Sequence, residues 1–573
     1  MERNLTALKN QEFDLLVVGG GMFGICAAWD AVLRGLSVAL IEQKDFASGS
    51  SANSYKIVHG GIRYLQHLDW VRIRSSCKER SALLRVAPHL VQPLPIVIPT
   101  YGHGKQGKEL LSTGMFVYDL ATYDRNVGIG DPARHIPPCR AMSRQEVLDL
   151  FPDLDTHGLT GAMIFCDGQM YNPPRLALSF LRSAVAEGAQ AANYVEALNF
   201  LRSDNQVKGV WAQDKLTEDT FEIRARVVLN AAGPWAEWLL GKQFKTHATH
   251  KGTYSRDACF VIPRRITKKY ALAVSGQTKD PDAVLSREAR HLFVVPWRNY
   301  TLIGVWHVVY PGHPDTVTVT DQDLETFVDE INWAYPSLNL RMDEVSMWNA
   351  GLVPFGENQP GTQDLSYGKR SLIIDHAKQD QVNGLVTLIG VRYTMAREDS
   401  AKAIDLVSQK LGKQRPRPAT DKIPVYGGKI DNFERLVQTA IQKDSYGLSP
   451  EVIRALVHNY GSEYVNVLQY IDQNPKWAKT FENSKVLKAE VIHAVHQEMA
   501  FKLGDVIFRR TDLATGGSPG ENSLRDCAEL MASELGWARE QVDKEMNEVV
   551  RRFPNLTKSC SNIAPQFTKE TLY

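Results

Sequence analysis

An apolar run that breaks into a glycine-rich turn near the amino terminus constrains this chain most strongly. Residues 13–18 are Phe-Asp-Leu-Leu-Val-Val, and the turn Gly19-Gly-Gly-Met-Phe-Gly24 follows before the pattern becomes helical. Gly19, Gly21 and Gly24 satisfy GxGxxG: the first permits a tight turn, the second lets a pyrophosphate approach the backbone, and the third lets a helix pack on the strand. The segment predicts the first βαβ unit of a dinucleotide-binding domain.

An acidic residue completes this fingerprint. A second apolar strand, 36–41, ends at Glu42, where a dinucleotide-binding fold places the acid that binds a ribose hydroxyl. A tight glycine turn in some other α/β protein would explain the glycines, but not the strand, helix, strand and acid that follow in register. We therefore expect a dinucleotide site, although the motif alone does not separate FAD from NAD.

The composition excludes several other classes of protein. The chain has 573 residues, 43% of them hydrophobic, which is enough for a large core and more than one domain. Lys and Arg total 66 against 65 for Asp and Glu, so no overall charge favours nucleic acid as a partner. The seven cysteines contain no CxxC, which indicates a reducing compartment and no metal site. No stretch approaches the roughly 20 apolar residues that span a bilayer, so we expect a cytoplasmic protein.

Later segments predict how the chain returns to the cofactor. A β-rich run from residue 221 closes on Asn230-Ala-Ala-Gly-Pro-Trp235, where small residues would let the backbone approach a nucleotide. Residues 385–397 predict a strand that turns into a helix near the cofactor. Helical spacing also predicts helices at 70–87 and 174–186.

The rest of the chain suggests a sheet and a helical region. Residues 250–345 alternate apolar and polar residues, which predicts an antiparallel sheet above the site, with a helix at 321–334. The proline-broken run 91–100 is typical of an edge strand. The run 412–421, rich in proline and charge, predicts a linker, and helical patterns follow at 449–472, 484–509 and 521–552.

Residues 49–67 carry a family resemblance. They read Gly-Ser-Ser-Ala-Asn-Ser-Tyr-Lys-Ile-Val-His-Gly-Gly-Ile-Arg-Tyr-Leu-Gln-His, which resembles the signature of the FAD-dependent glycerol-3-phosphate dehydrogenases and oxidases, within the wider glycine and D-amino-acid oxidase-like superfamily. In that family this segment runs beneath the flavin and into the substrate pocket. The resemblance covers nearly the whole chain and implies noncovalently bound FAD.

The resemblance also implies a fold. We expect an α/β protein with a Rossmann-like FAD-binding domain, an antiparallel β-sheet cap that binds the substrate, and an all-α C-terminal domain. Residues 1–412 would form the oxidoreductase domain and 413–573 the helical domain, for which we expect a role in packing or oligomerisation. Within the first domain, the FAD-binding segments would be about 12–95, 155–240 and 346–412, and the cap about 96–154 and 241–345.

The motifs and the resemblance together give the candidate site. The expected cofactor-binding residues are Gly19, Gly21, Met22, Phe23, Gly24, Glu42, Gln43, Ser50, Ser51, Ser54, Lys56, His59, Gly60, Gly61, Ala232, Gly233, Trp235, Gly390, Arg392, Tyr393 and Thr394. The candidate catalytic residues are His59, Arg63, Tyr64, His307 and Arg392. Two of these have a simpler interpretation, since His307 could be an ordinary sheet histidine and Arg63 an ion-pair partner.

Four pocket motifs depart from the family. The chain has Arg256-Asp-Ala-Cys259 in place of Lys-Gly-x-His, and Ile303-Gly-Val-Trp-His307 in place of Ile-Gly-Thr-Thr-Asp. It has Gly351-Leu-Val-Pro354 in place of Gly-Val-Arg-Pro, where we take Leu352 to replace a phosphate-binding arginine. It has Gly390-Val-Arg-Tyr-Thr-Met-Ala-Arg397 in place of Gly-Gly-Lys-Leu-Thr-Thr-Tyr-Arg. We therefore expect an altered substrate pocket.

The departures have a chemical meaning. The family's arginine acts as a clamp that binds the phosphate through two hydrogen bonds. Without this clamp, a phosphate would depend on Arg63, Arg392 and on Lys369 or Arg370. Arg392 keeps the charge of the family's lysine but does not release its proton. These changes favour a larger or less phosphorylated substrate than glycerol 3-phosphate.

The predicted activity is hydride transfer from a CH–OH substrate to flavin N5, with His59, His307 or Tyr64 as the base that removes the hydroxyl proton. Two alternatives stay open: oxidation of a CH–NH group in an amine or amino acid, and a flavoprotein that has lost catalysis and acts as an assembly partner. The electron acceptor is oxygen or a quinone. A homodimer and peripheral association with the cytoplasmic membrane also stay open.

Overall fold

A computed structural model of the chain describes residues 1–67, 69–103, 107–241, 244, 254–277, 291–354, 370–413 and 416–554, with the backbone alone for Arg63, Gln66 and His67. The strands are β1 (Glu12–Val18), β2 (Val38–Glu42), β3 (Ile57–Val58), β4 (Val91–Tyr101), β5 (Arg140–Ser143), β6 (Leu159–Met170), β7 (Gln190–Asn193), β8 (Val195–Ser203), β9 (Gln206–Asp214), β10 (Thr220–Asn230), β11 (Tyr254–Ile262), β12 (Ala271–Ser275), β13 (His291–Trp297), β14 (Tyr300–Tyr310), β15 (Met347–Pro354), β16 (Leu372–Asp375) and β17 (Leu385–Ile389).

The helices divide between the two halves of the chain. They are α1 (Leu5–Asn10), α2 (Met22–Leu33), α3 (Trp70–Val86), α4 (Lys108–Ala121), α5 (Arg144–Leu150), α6 (Pro173–Ala186), α7 (Ala236–Gly241), α8 (Asp321–Ala334), α9 (His376–Gln379), α10 (Ala396–Leu411), α11 (Phe433–Gln442), α12 (Pro450–Tyr460), α13 (Val465–Gln473), α14 (Lys488–Gln497), α15 (Leu503–Asp505), α16 (Glu521–Leu535) and α17 (Arg539–Val550). The segments 62–67 and 393–395 are 3-10 helices, and 506–510 is a π-helical turn.

The first sheet carries the predicted nucleotide motifs. Its strand order is β16-β17-β10-β1-β2-β7, with parallel pairing from β17 through β7 and the hairpin β8–β9 attached beside β10. Helices α2, α6 and α10 pack on one another over this sheet, where the rings of Trp29 and Phe180 lie 5.1 Å apart. The strands of this sheet are apolar along their length because both faces of the sheet are covered by other parts of the protein. The predicted Rossmann-like arrangement is therefore present.

Glycine fixes the passage from β1 into α2. Gly19 has a φ of +113°, and a Cβ atom there would lie 2.5 Å from the carbonyl oxygen of Ala231. A Cβ atom on Gly24 would lie 1.9 Å from the carbonyl oxygen of Gly19. The first and third glycines of the motif thus permit the turn and the close contact between helix and strand, as predicted from their spacing.

The second sheet has the order β15-β11-β14-β13-β12-β4-β6-β3, with β5 beside β6. It is antiparallel except for the pair β4 and β12. On one face it packs against α8, where the rings of Phe260 and Phe327 lie 4.3 Å apart. Strands β3, β6 and β15 belong to this sheet although they lie in segments that we expected to bind FAD.

The expectation that 91–100 forms an edge strand is wrong, because β4 lies between β6 and β12. Successive residues of a strand present their N–H groups to alternate neighbours, so Pro93, Pro95 and Pro99 all lack a donor on the same side. β6 pairs along the whole of β4, whereas β12 pairs with it only at Ile96 and Val97.

Buried ion pairs join the C-terminal helices to the first sheet. Asp45, three residues beyond β2, binds both Arg509 and Arg510 of the π-helical turn, at 2.5 and 2.7 Å. Arg175 of α6 binds Glu498 at 2.6 Å, and both side chains are at most 2% exposed. The helical region is therefore fixed against the nucleotide-binding sheet by desolvated charges.

Candidate active site

A cleft of about 580 Å³ lies between the two sheets, next to the glycine-rich turn. Seventeen of the predicted cofactor-binding residues line it: Gly19, Gly21, Met22, Phe23, Glu42, Gln43, Ser50, Ser51, Ser54, His59, Ala232, Gly233, Trp235, Gly390, Arg392, Tyr393 and Thr394. They come from the ends of β1, β2, β10 and β17 and from the loop after β2. Parallel strands that end at one edge of a sheet bring these separate segments together.

Glu42 holds the glycine-rich turn in place. Its two carboxylate oxygens accept hydrogen bonds from the backbone N–H groups of Gly20 at 2.7 Å and Lys44 at 2.9 Å. Burial raises the pKa of Glu42, and the two N–H groups oppose that rise. The hydroxyl of Ser51 accepts a hydrogen bond from the N–H of Met22 at the start of α2, at 3.0 Å. The acid and the serine therefore order the turn at which the nucleotide motif places the phosphates.

The cleft fits a bound FAD. The N-terminus of the twelve-residue helix α2 opens into it, which is the position that stabilises phosphate in this fold. The hydroxyl of Ser54, which also lines the cleft, is buried and makes no hydrogen bond within the part of the chain that the structure describes. A buried hydroxyl without a partner is costly, and a polar group of a flavin would satisfy it.

Three predicted cofactor residues, Gly24, Gly60 and Gly61, do not line the cleft. Gly24 lies against the carbonyl group of Gly19, one residue beyond β1, as its motif requires. A Cβ atom on Gly60 would lie 2.1 Å from the guanidinium of Arg80, and one on Gly61 would lie 3.0 Å from Ser76. The two glycines are thus needed for packing against α3, and the local sequence did not distinguish this from contact with the flavin.

Lys56 is the fourth predicted cofactor residue that does not line the cleft. Its ammonium group donates a hydrogen bond to the carbonyl oxygen of Ser54 at 3.1 Å and lies 5.0 Å from the centroid of the Trp297 ring. It lines a second, smaller cavity together with residues of the helical region. Burial lowers the pKa of Lys56.

Three of the candidate catalytic residues meet on one side of the cleft. Arg392 donates a hydrogen bond to the hydroxyl of Tyr64 at 3.0 Å, and the rings of Tyr64 and His59 lie 5.9 Å apart. His59 and Arg392 line the cleft, whereas Tyr64 does not line it and holds Arg392 through this hydrogen bond. Lys369 and the side chain of Arg63 lie outside the described residues, and Arg370 is exposed.

His307 lies on β14 of the second sheet, which forms the opposite wall, but it is not itself among the residues that line the cleft. Its Nδ1 atom lies 2.8 Å from a carboxylate oxygen of Asp257, the residue directly across from it on β11. The hydroxyl of Ser255 donates a second hydrogen bond to Asp257, at 2.5 Å. Asp257 lines the cleft and was not among the predicted site residues. The motif at 256–259 contains Asp257, but only the register of β11 and β14 places it across from His307.

The pairing of β11 with β15 corrects one assignment. Residues directly opposite each other share a face of the sheet, so Leu352 lies on the same face as Arg256. That face is turned away from the nucleotide site, because Arg256 forms an ion pair with Asp323 of α8 at 2.6 Å. Leu352 also lines the cleft, where its backbone N–H and carbonyl groups bond to the hydroxyl of Ser50 at 3.0 and 2.9 Å. Its side chain shares the face of Arg256 and therefore does not replace the phosphate-binding arginine.

Val353 takes the position of the missing arginine. Gly351 and Pro354 align with the ends of the Gly-Val-Arg-Pro motif, which places Val353 opposite the arginine. A Cβ atom on Gly351 would lie 3.2 Å from Ser50, so Gly351 faces the cofactor loop, and Val353, two residues further along β15, shares its face. Val353 lines the cleft and is half-buried.

Comparisons with known proteins show which family the chain resembles. Residues 14–390 match the FAD-dependent oxidoreductase family, and residues 418–542 match the C-terminal domain of alpha-glycerophosphate oxidase. The chain is 31% identical to a glycerol-3-phosphate dehydrogenase of Synechocystis over 95% of this chain and 97% of the relative. It is 28% identical to the aerobic glycerol-3-phosphate dehydrogenase of Staphylococcus aureus over 95% of this chain and 94% of that one.

A solved structure extends the agreement to the fold. The glycerol-3-phosphate dehydrogenase of Bacillus halodurans, solved with FAD, is 26% identical, has a TM-score of 0.76 and covers 98% of this chain and 97% of its own. The predictions of fold class, FAD and oxidoreductase activity are confirmed. This chain belongs to the FAD-dependent oxidoreductases and, within them, to the glycerol-3-phosphate dehydrogenase and oxidase family.

Proposed function

We propose that this enzyme oxidises a CH–OH group of an anionic substrate that is bulkier than glycerol 3-phosphate. The observation that carries the proposal is Val353, an apolar side chain on the cleft wall where the family motif has an arginine. An arginine binds a phosphate through two parallel hydrogen bonds, and valine offers none. The cleft keeps Arg392 as a cation, so an anionic substrate is still favoured.

The residues in and beside the cleft suit this reaction. When bound, FAD supplies the hydride acceptor. Arg392, fixed by Tyr64, would orient the anionic substrate. His307 would take the hydroxyl proton, and Asp257 would hold the imidazole in one tautomer through its Nδ1–H group.

The Asp257–His307 pair differs from the family in position. The family motifs place a histidine at 259 and an aspartate at 307, whereas this chain has Cys259 and His307, with the acid at 257. An imidazole and a carboxylate are therefore both kept on this wall, but the imidazole has moved to β14. A displaced base suits a substrate of different size.

Anaerobic stopped-flow reduction of the bound flavin tests the proposed substrate. The purified protein should be yellow, and glycerol 3-phosphate should reduce it slowly or not at all. Longer phosphorylated or carboxylated alcohols should reduce it faster. Reduction by glycerol 3-phosphate at the rate of an efficient dehydrogenase would contradict the proposal, and reduction by amines alone would favour CH–NH oxidation instead.

The role of the Asp257–His307 pair can be tested separately. General-base catalysis contributes about 10²–10⁴-fold, so His307→Gln should slow flavin reduction by roughly that factor without loss of FAD. Asp257→Asn should slow it less and alter its pH profile. Asp323→Asn is the matched control, since it breaks an ion pair on the other face of the same sheet. An equal effect of Asp323→Asn would assign these losses to the sheet and not to catalysis.

We further propose peripheral association with a membrane surface. Among the helices that the structure describes, none is both long enough and apolar enough to cross a bilayer. Exposed apolar residues do cluster on α4 and just beyond it: Phe116 is 64%, Leu120 60%, Tyr123 82% and Val127 68% exposed. Arg74 of α3 donates a hydrogen bond to the carbonyl oxygen of Ala121 at the end of α4 and forms an ion pair with Asp124 just beyond it, and these contacts hold this apolar surface against α3. Exposed apolar surface of this kind is typical of an interaction site.

Vesicle flotation tests this surface. Wild-type protein should float with phospholipid vesicles, and the Phe116→Ser/Leu120→Ser double variant should bind them far less. Trp211→Ser removes an exposed aromatic side chain from β9 and should change nothing. Equal flotation of all three proteins would contradict the assignment to α4.

A further inference from the structure

The helical C-terminal region contributes one residue to the cleft. Arg552, two residues beyond the end of α17, lines the cleft together with Trp348 of β15. Residue 552 lies outside the 418–542 segment that matches the known C-terminal domain. The resemblance therefore assigns this arginine no role.

Arg552 has aromatic neighbours and no acidic partner. Its guanidinium carbon lies 5.7 Å from the ring centroid of Trp348 and 5.6 Å from that of Phe508. Among the residues that the structure describes, no carboxylate lies within ion-pair distance of it. Arg552 is exposed, although desolvation by the surrounding protein and the nearby Arg509 lower its pKa. It is therefore an accessible cation whose charge no neighbouring acid compensates.

The two aromatic neighbours of Arg552 belong to well-anchored parts of the fold. Phe508 lies in the π-helical turn, which the ion pairs of Arg509 and Arg510 with Asp45 hold against the nucleotide-binding sheet. The partner ring Trp348 lies near the start of β15, five residues before Val353. At about 3.3 Å per residue, the two positions are roughly 16 Å apart along the strand. The cation thus lies well away from the lost clamp.

We propose that Arg552 binds a carboxylate or phosphate group of the substrate, at the end distant from the reacting carbon. This inference rests on the proposed oxidation of a bulkier anionic substrate and names how the far end of that substrate is held. A guanidinium beside an aromatic wall, without a protein carboxylate, is suited to an anion that arrives with the ligand. The helical region would then determine specificity as well as support the fold.

Calorimetric titration of the full-length, FAD-loaded protein tests the proposal without turnover. The probes are 3-phosphoglycerate and inorganic phosphate. We expect Arg552→Gln to weaken 3-phosphoglycerate binding by at least about tenfold, and Arg552→Lys to restore part of it. Arg551→Gln is the matched control, because Arg551 is exposed and does not line the cleft. It should bind the probe within twofold of wild type. All four proteins should keep the flavin absorption spectrum.

The outcomes separate the two proposals. Equal affinities in wild type and Arg552→Gln, or no binding of either probe by wild type, would overturn the role of Arg552. Loss of FAD from Arg552→Gln would also overturn it, because the residue would then serve the cofactor. Failure of every CH–OH compound to reduce the wild-type flavin would contradict the proposed reaction alone, because anion binding is measured independently.

Discussion

Glu42 shows how one side chain serves both structure and ligand. Its carboxylate accepts two backbone hydrogen bonds and lines the cleft, so removing it leaves the N–H groups of Gly20 and Lys44 without acceptors. We predict that Glu42→Ala weakens FAD binding by about 1.5–3 kcal/mol, the usual range for hydrogen bonds to a charged group. Titration of the apoprotein with FAD measures this. Glu222→Ala, which removes an exposed ion pair on β10, is the control, and unchanged FAD affinity in Glu42→Ala would place the ribose contact elsewhere.

Val353 provides a second prediction at the scale of the residue. Val353→Arg combined with Arg392→Lys should restore part of the reduction by glycerol 3-phosphate, because both changes return the family's cations to the cleft. Leu352→Arg is the matched control, since Leu352 is only 5% exposed and its side chain shares a face of the sheet with Arg256. It should lower stability and restore no activity. A gain in stopped-flow rate from Leu352→Arg, but not from Val353→Arg, would contradict the register described above.

At the scale of the element, α14 contains a buried carboxyl group whose pKa is raised in the folded state. Glu490 is 2% exposed and accepts a hydrogen bond from the N–H of Leu487, and burial raises its pKa to about 8. The folded state therefore favours the protonated form of Glu490, because the pKa of this carboxyl group in the unfolded chain is 4.5. The stability that the protonated group contributes is complete below pH 4.5 and is lost as the pH rises through about 8.

Glu490→Gln keeps a neutral side chain at every pH. We predict that it raises the unfolding temperature relative to wild type by at least about 2 °C at pH 8, with a smaller difference at pH 5. Thermal unfolding at the two pH values measures this. The exposed Glu529→Gln should leave the pH dependence unchanged. A difference between Glu490→Gln and wild type that does not vary with pH would contradict the assignment to this carboxyl group.

At the scale of the whole molecule, the contact between Asp45 and the π-helical turn connects the cofactor site to the helical region. Asp45 and Arg510 are both fully buried, so Arg510→Met leaves a desolvated carboxylate with fewer partners. We predict a loss of about 3–5 kcal/mol in the free energy of unfolding, measured by denaturant titration. Arg525→Met, which removes an exposed ion pair on α16, should cost less than about 1 kcal/mol. Similar losses in both variants would contradict a structural role for this contact.

The sequence by itself determined the parts of this protein that depend on local geometry. The glycine spacing and Glu42 predicted the βαβ unit, because a turn, a close helix contact and a terminal acid each require a particular residue type. Helical periodicity predicted α8 at 321–334, where the structure has Asp321–Ala334, and α6 within one residue. It merged the C-terminal helices, because periodicity continues across a short kink such as Gly461–Glu463 between α12 and α13.

Only the tertiary structure decided which side chains share the cleft. Asp257 faces His307 because β11 and β14 pair in one register, and a shift of one residue would turn every side chain to the other face. The register of β11 and β15 agrees with the motif alignment, which puts Val353 and not Leu352 at the position of the missing arginine. Gly60 and Gly61 are small because α3 packs on them, and Arg552 reaches the cleft from more than 500 residues beyond the glycine-rich turn. Such contacts depend on strand register and on packing between distant segments, which no local pattern in the sequence specifies.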